Sequence, residues 1–354
     1  MSIIEIRSSS GNYSINFGES AIQSDIEIEF LIVDKNIRLG SRPNAQFTFE
    51  VEAIEENKTL ETVSQLIQSM ADAGLNRKSK VHAVGGGVIQ DISTLACSIY
   101  MRGITWVYWP TTLTGMLDSC IGGKSSINLG KHKNLIGNFH PPKEIFINTR
   151  FLESLPKAHV LSGLAEGVKI CYAHSSQAFN KFLSLAPDAQ LGQGSSSMEL
   201  VRLCLDSKKW FVEVDEFDVK ERQLLNFGHS FGHALESATD YEVPHGIAVA
   251  LGILAANEFS QNEEHSLTKK LNEYCISILN QWIATRPMLS DINWDKFSKS
   301  LTADKKNSAT DLRLVLPDEN AKLTIQSLPF SQNSVALAAA VMKNVTLEVL
   351  NEIF

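Results

Sequence analysis

Residues 80–110, KVHAVGGGVIQDISTLACSIYMRGITWVYWP, leave little freedom in how this chain can fold. KVHAV is a short apolar run that meets three glycines. VIQDISTLACSIYM carries apolar residues at helical spacing, and GITWVYWP is a second apolar run stopped by Pro110. A strand, a helix and a strand in that order make a parallel pair joined by a crossover helix. FLIVDKNI (30–37) and TLETVSQLIQSMADAGL (59–75) precede it as another strand and helix. NYSINF and IEIEF, further upstream, are expected as short strands forming an edge hairpin.

After FLESLP (151–156) the pattern changes to helix. HVLSGLAEGVKICYAH, SMELVRLCLDSKKWFVEV, LLNFGHSFGHALESA, HGIAVALGILAANEF and TKKLNEYCISILNQWIA all read as helices, with QLGQGSSSM (190–198) as a loop. DLRLVLP and AKLTIQS alternate like a hairpin, and VALAAAVMKNVTLEVLNEI closes the chain as a helix. The expected fold is a Rossmann-like α/β N-terminal domain with a parallel sheet over 1–156, and a mainly α-helical domain over 157–354. A chain of 354 residues exceeds what one core usually supports, which agrees with two domains.

Bulk properties exclude several classes. A net charge of -8 argues against general affinity for nucleic acid. No apolar run approaches the roughly 20 residues of a membrane span, and MSIIEIRSSSGNYSINF lacks the long apolar core of a secretory signal. The five scattered cysteines suit free thiols in a reducing compartment, so a cytoplasmic location is expected.

Three stretches carry candidate chemistry. VGGGVIQD (84–91) ends a strand and opens a helix, which either holds a pyrophosphate at the helix N-terminus or simply makes a tight turn. In NFGHSFGHALES, His229 and His233 are four apart and share a helix face; His245 follows in VPHGIAV. A catalytic metal needs about three protein ligands, and Glu166 in the small-residue context GLAEGVKICY is the acid that could join them. Alternatively Glu166 pairs with Lys169, one turn on. PTTLTGMLDSCIGGKSSINLGKHKNLIGNFHPP (110–142) crowds Asp118, Lys124, Lys133 and Asn134 into Gly-rich backbone, either as a phosphate-binding segment or as a solvated basic loop.

GGGVIQD, YMRG, PTTLTGMLDS, GGKSSIN, KNLIGNFHPP, GLAEGVK, RQLLNFGHSFGHALE and PHGIAVA, in this order and spacing, resemble 3-dehydroquinate synthase and related sugar phosphate cyclases. The resemblance runs from about Asp34 to Lys306. It implies a bound NAD over the N-terminal domain and a divalent metal in the cleft, Zn2+ or another such as Co2+. Its metal ligands fall on Glu166, His229 and His245, with His233 close to substrate. NAD contacts fall on Asp34, Asn36, Glu55, Lys58, Gly86, Gly87, Asp91, Thr111, Thr112, Lys124 and Lys133. Substrate and catalytic groups fall on Arg102, Asp118, Lys124, Lys133, Asn134, Lys169, Lys208, Arg222, Asn226, His233 and Lys305 or Lys306. The arginine at Arg102 reaches a neighbouring subunit in such enzymes, so a homodimer is implied.

The implied reaction is NAD- and zinc-dependent elimination of phosphate from 3-deoxy-arabino-heptulosonate 7-phosphate, with aldol closure to 3-dehydroquinate in the shikimate pathway. Lys208 and Arg222, fourteen residues apart, are the cations that such enzymes use for the substrate carboxylate, and their presence favours this small-molecule acid. The alternatives are a cyclase for another substrate such as sedoheptulose 7-phosphate, an NAD- and metal-dependent polyol dehydrogenase, or a non-catalytic relative. The chain departs from the family pattern at Ile247 after HG, at Gln90 in place of a small residue, at Ile54 in place of glycine, in LGKHKN, and at Phe217 in place of arginine.

Overall fold

Alternating burial marks out the first elements of the chain in the computed structural model, which describes residues 3–18, 27–37, 44–130, 132–186, 195–285, 292–303, 307 and 310–351. Strands β1 (Ile3–Ile6) and β2 (Tyr13–Phe17) form an antiparallel hairpin, each burying every second residue. Next come β3 (Ile28–Asp34), β4 (Ala45–Val51), α1 (Leu60–Asp72), β5 (Lys80–Gly85), α2 (Gly87–Ile99) and β6 (Thr105–Pro110). β7 (Ile127–Leu129) and β8 (His132–Ile136) make a small separate hairpin, and β9 (Glu144–Ile147) follows. The helices α3 (Lys157–His174), α4 (Ser176–Leu185), α5 (Ser195–Val214), α6 (His229–Ala238), α7 (His245–Phe259), α8 (Ser266–Ile283) and α9 (Trp294–Thr302) come next. The hairpin β10 (Asp311–Pro317) with β11 (Leu323–Pro329) and the helix α10 (Gln332–Asn351) close the chain.

Among the described residues, seven strands form one sheet in the order β1-β2-β9-β6-β5-β3-β4, parallel except for the β1–β2 pair. β3 is nearly continuously apolar and buried, as a central parallel strand must be when covered on both faces. The edge hairpin forms from residues 3–6 and 13–17. Of IEIEF, residues 28–30 open β3 instead, with Phe30 registered against Phe47 of β4 and Val81 of β5 in the sheet interior, and Ile26 lies outside the described residues. The sequence order reverses at β3, which has β4 on one side and β5 on the other. In an open α/β sheet that reversal opens a crevice at the carboxyl ends of the strands. Asp34 and Gly85 end those two strands.

Contacts divide the chain into two units: Met1–Leu155 with Asp188–Phe217, and Pro156–Pro187 with Asp218–Phe354. In this division α5, although purely helical, falls with the sheet unit. Of the loop expected over 190–198, residues 195–198 open α5, and 190–194 lie outside the described residues. The second unit is helical apart from its β10–β11 hairpin. Its α7 is buried from Gly246 to Asn257, the mark of a helix packed on all sides. All five cysteines are buried and free, and among the described residues no helix is long and apolar enough to cross a membrane.

Candidate functional site

In the second unit, glycines explain how the histidines meet. Gly228 precedes α6 at φ +74°, and a Cβ there would strike Ile253 at 2.7 Å. A Cβ on Gly252 of α7 would lie 2.1 Å from the Gly228 carbonyl oxygen, and one on Gly232 would lie 3.0 Å from that of Ala248. The repeated Gly-His pairs thus let α6 and α7 pack backbone to backbone while each following histidine turns toward the start of α7. Ring centroids of His229, His233 and His245 stand 5.2–5.5 Å apart. One nitrogen from each falls within 4.8 Å of the others.

Glu166 comes to this cluster from α3 and is 1% exposed. Its Oε2 accepts a hydrogen bond from Lys169 Nζ at 2.5 Å. Its Oε1 is buried without a hydrogen bond of regular geometry and faces His245 Nε2 at 3.2 Å and His229 Nε2 at 3.7 Å. The pairing with Lys169 and the convergence with histidines are therefore both present, one on each oxygen. The far nitrogens are occupied: His229 Nδ1 meets the Phe227 carbonyl at 3.1 Å, and His245 Nδ1 meets Glu236 Oε2 at 3.1 Å.

Electrostatics prepares the same groups. Burial opposes ionisation of Glu166, but Lys169, then His229 and His245, hold its carboxyl well below the usual range. Burial and the Lys169 charge hold His229 well below the ordinary imidazole value. His245, whose side chain is 40% exposed, loses little to burial, and Glu236 and Glu166 push it up to about 10, so it keeps a proton at neutral pH unless a cation takes the proton's place.

The residues fit a divalent ion. A tetrahedral site with bonds of about 2.1 Å has ligand atoms roughly 3.4 Å apart. The two measured carboxylate–imidazole separations bracket that edge. An anionic oxygen, imidazoles with their second nitrogens tied off, and a carboxylate behind one of them are the usual parts of a catalytic zinc centre. Glu236 went unnoticed in the sequence, though it lies three residues past His233 on the same helix face.

The first unit holds a different group of residues. Gly86 caps α2, Gly87 is exposed, and nothing lies within 4 Å of where a Gly87 Cβ would sit. The first amides of α2 are therefore open to an anion at the reversal crevice. Thr112 packs on Gly86 and accepts a bond from Gly115 N through Oγ1, and the Thr111 amide bonds Gly85 O. Asp34 Oδ1 accepts the amides of Asn36 and Ala53, so its loop is held at the strand end.

Beside them Lys58, 7% exposed, reaches Glu55 at 3.3 Å, Asp91 at 3.2 Å and the side-chain oxygen of Asn134 at 2.7 Å. Burial pushes Asp91 up to about 6 against the opposing pull of Lys58. Lys133 lies 3.6 Å from Glu55, and Asn128 bonds both Glu55 and the Asn134 amide. Lys124 bridges in sheet fashion to Phe139. The basic segment is thus an ordered polar network.

Asp118 sits in a π-helical turn, residues 115–119, and its Oδ1 and carbonyl both bind Lys208 Nζ of α5 at 2.5 Å. Arg102 is exposed, follows Met101 in positive φ (+49° and +69°), and has no side-chain partner among the described residues. Arg222 is buried and Asn226 half-buried in the turn Glu221–Asn226 of the second unit. Lys305 and Lys306 lie outside the described residues.

The departures have structural places. Ile247 is wholly buried in α7, and Phe217 stacks edge-on against Phe139 at 5.3 Å.

Comparison with known proteins adds the following. Residues 48–162 match the 3-dehydroquinate synthase N-terminal family, and 163–307 match the C-terminal family. A 3-dehydroquinate synthase of Thermoanaerobacter sp. (strain X514) is 33% identical over 317 residues, covering 84% of this chain and 86% of its own. One from Dictyoglomus thermophilum is 36% identical over 279 residues, covering 77% and 76%. Among solved structures, a 2-deoxy-scyllo-inosose synthase complexed with carbaglucose-6-phosphate, NAD+ and Co2+ aligns with a TM-score of 0.81 at 24% identity, covering 97% of this chain and 100% of its own. A 2-epi-5-epi-valiolone synthase from Streptomyces hygroscopicus subsp. jinggangensis 5008, with NAD+ and Zn2+ bound, aligns at 0.78 and 22% identity, covering 96% and 97%.

Proposed function

Because the chain belongs to the 3-dehydroquinate synthase family, we propose that it converts 3-deoxy-arabino-heptulosonate 7-phosphate to 3-dehydroquinate with loss of inorganic phosphate. It is a phosphorus–oxygen lyase of the shikimate pathway that uses NAD and a divalent metal. The single observation that carries the metal-dependent part is the buried, unbonded Oε1 of Glu166 facing two imidazole nitrogens. The NAD and metal in the two related synthase structures support the same cofactors here, with zinc as the ion.

Glu166, His229 and His245 would hold the ion; the open amides at Gly86 and Gly87, with Asp34, Asn36, Glu55, Lys58, Asp91, Thr111 and Thr112, would hold NAD. When bound, NAD supplies a reversible hydride acceptor and the ion supplies Lewis acidity. The chain's own groups do the positioning. Lys208 and Arg222 take the substrate carboxylate, with Asp118 holding the lysine in place. Lys124, Lys133, Asn134, His233 and a lysine at 305 or 306 are the groups assigned to the phosphate. The leaving phosphate can accept the proton released beside it, so these groups chiefly have to fix its orientation. Lys169 keeps Glu166 ionised through its 2.5 Å contact. Asn226 completes the substrate-binding set. Arg102, exposed and without a side-chain partner among the described residues, serves the site of a second subunit in a cytoplasmic homodimer.

The test is release of phosphate by protein loaded with NAD and zinc. 3-Deoxy-arabino-heptulosonate 7-phosphate should release one equivalent without accumulation of free NADH. Release only from sedoheptulose 7-phosphate would reject the assigned substrate, and steady NADH production from a simple polyol would reject the reaction class.

A further inference from the structure

The turn that carries Asp118 is an irregular one. A π-helical segment is a rare local structure that persists where neighbours brace it. In residues 115–119 the bracing is visible at two successive carbonyls. Asp118 O is taken by Lys208 Nζ at 2.5 Å, and Ser119 O accepts a bond from Gln90 Nε2 at 2.7 Å. The second contact is reciprocal, because Ser119 Oγ donates to Gln90 Oε1 at 2.6 Å. Gln90 is 5% exposed, so both ends of its amide are satisfied away from bulk water.

Gln90 also lies beside Asp91, whose carboxylate accepts the Ser126 amide at 3.0 Å and pairs with Lys58. The first two turns of α2 therefore connect on one side to the Lys58 network and on the other to the Asp118 turn. A small residue at 90 reaches neither Ser119 atom.

We propose that Gln90 is a positioning residue: its amide locks the 115–119 turn so that Asp118 presents Lys208 Nζ in one place. The functional part of this inference rests on the assignment of Lys208 to the substrate carboxylate.

The experiment compares wild type, Gln90→Ala, Ser119→Ala and the double variant. The first readout needs no turnover: acetylation of individual lysines by a limiting acylating reagent, followed by mass spectrometry. Lys208 should react about tenfold faster in Gln90→Ala, the equivalent of one lost buried hydrogen bond. Buried Lys169 of the other unit should keep its wild-type rate. Ser119→Ala should show a smaller rise, and the double variant should match Gln90→Ala because the two groups act as one pair. The second readout is kinetic: KM for the sugar-acid phosphate should rise by a similar factor, with kcat and NAD affinity within about twofold. Unchanged Lys208 reactivity in Gln90→Ala overturns the proposal, as does a general rise at all buried lysines. If Lys208 loosens while KM stays at the wild-type value, the lock stands and the assignment of Lys208 to the carboxylate falls.

Discussion

Nε2 of His245 lies 3.2 Å from Oε1 of Glu166, while its Nδ1 is held by Glu236 at 3.1 Å. At neutral pH an imidazole held between two carboxylates gives up its proton in exchange for another positive charge, and Glu166 would face such a charge.

Replacing Glu166 with Gln should remove bound zinc, weakening affinity by more than about a hundredfold, beyond the effect typical of a residue behind a ligand. His233→Asn should keep the metal and lose turnover. Metal content after gel filtration, measured by mass spectrometry, checks both. The opposite pattern would mean that the three histidines bind the ion by themselves.

Glu236→Ala should weaken zinc binding by about ten- to a hundredfold, because His245 loses the partner that fixes its ring. NAD affinity, measured by titration, should not change. Equal zinc affinity in the variant and wild type would remove Glu236 from the site.

Gly252→Ala should destabilise the protein by about 1–3 kcal/mol or more, since the added methyl meets the Gly228 carbonyl and not a yielding side chain. Urea unfolding should show a lower midpoint with an unchanged slope. Zinc affinity should fall with it, because pushing α6 from α7 separates His229 from His245.

His82 supplies a pH test away from the site. Burial, and then the charge of Lys80, lower its value from 6.5 to about 4, and its Nδ1 accepts a bond from Trp109 Nε1 at 3.4 Å. Between those values the unfolded chain takes up a proton that the folded one refuses. Its full contribution is therefore present above pH 6.5 and is lost as pH falls toward 4, by about 3 kcal/mol in all. Urea midpoints between pH 7 and 4.5 should drop less steeply in His82→Asn than in wild type. Parallel profiles would refute the assignment.

Much of this was legible in the order of residues. The strand–glycine–helix run at 80–99 could form little else, since backbone period and a glycine at the turn are local properties. The histidine spacing at 229 and 233 likewise announced a shared helix face. IEIEF was misplaced because a short alternating segment looks the same in an edge hairpin and in an interior parallel strand. Only the pairing of Phe30 with Phe47 and Val81 distinguishes them. Gln90 and Glu236 were invisible as site residues for a related reason. A hydrogen bond from Gln90 to Ser119 spans 29 positions, and no periodicity encodes it.

The sequence alone determined which elements form and which side chains share a helix face, because those follow from repeats of 2 and 3.6 residues along the backbone. Tertiary structure decided which of those faces meet. It put α5 with the sheet unit, it brought α3 to the histidines so that Glu166 divides its two oxygens between Lys169 and the imidazoles, and it set Asp118 on Lys208. Such choices depend on close packing between segments far apart in the chain, where a glycine allows contact and a methyl group would prevent it.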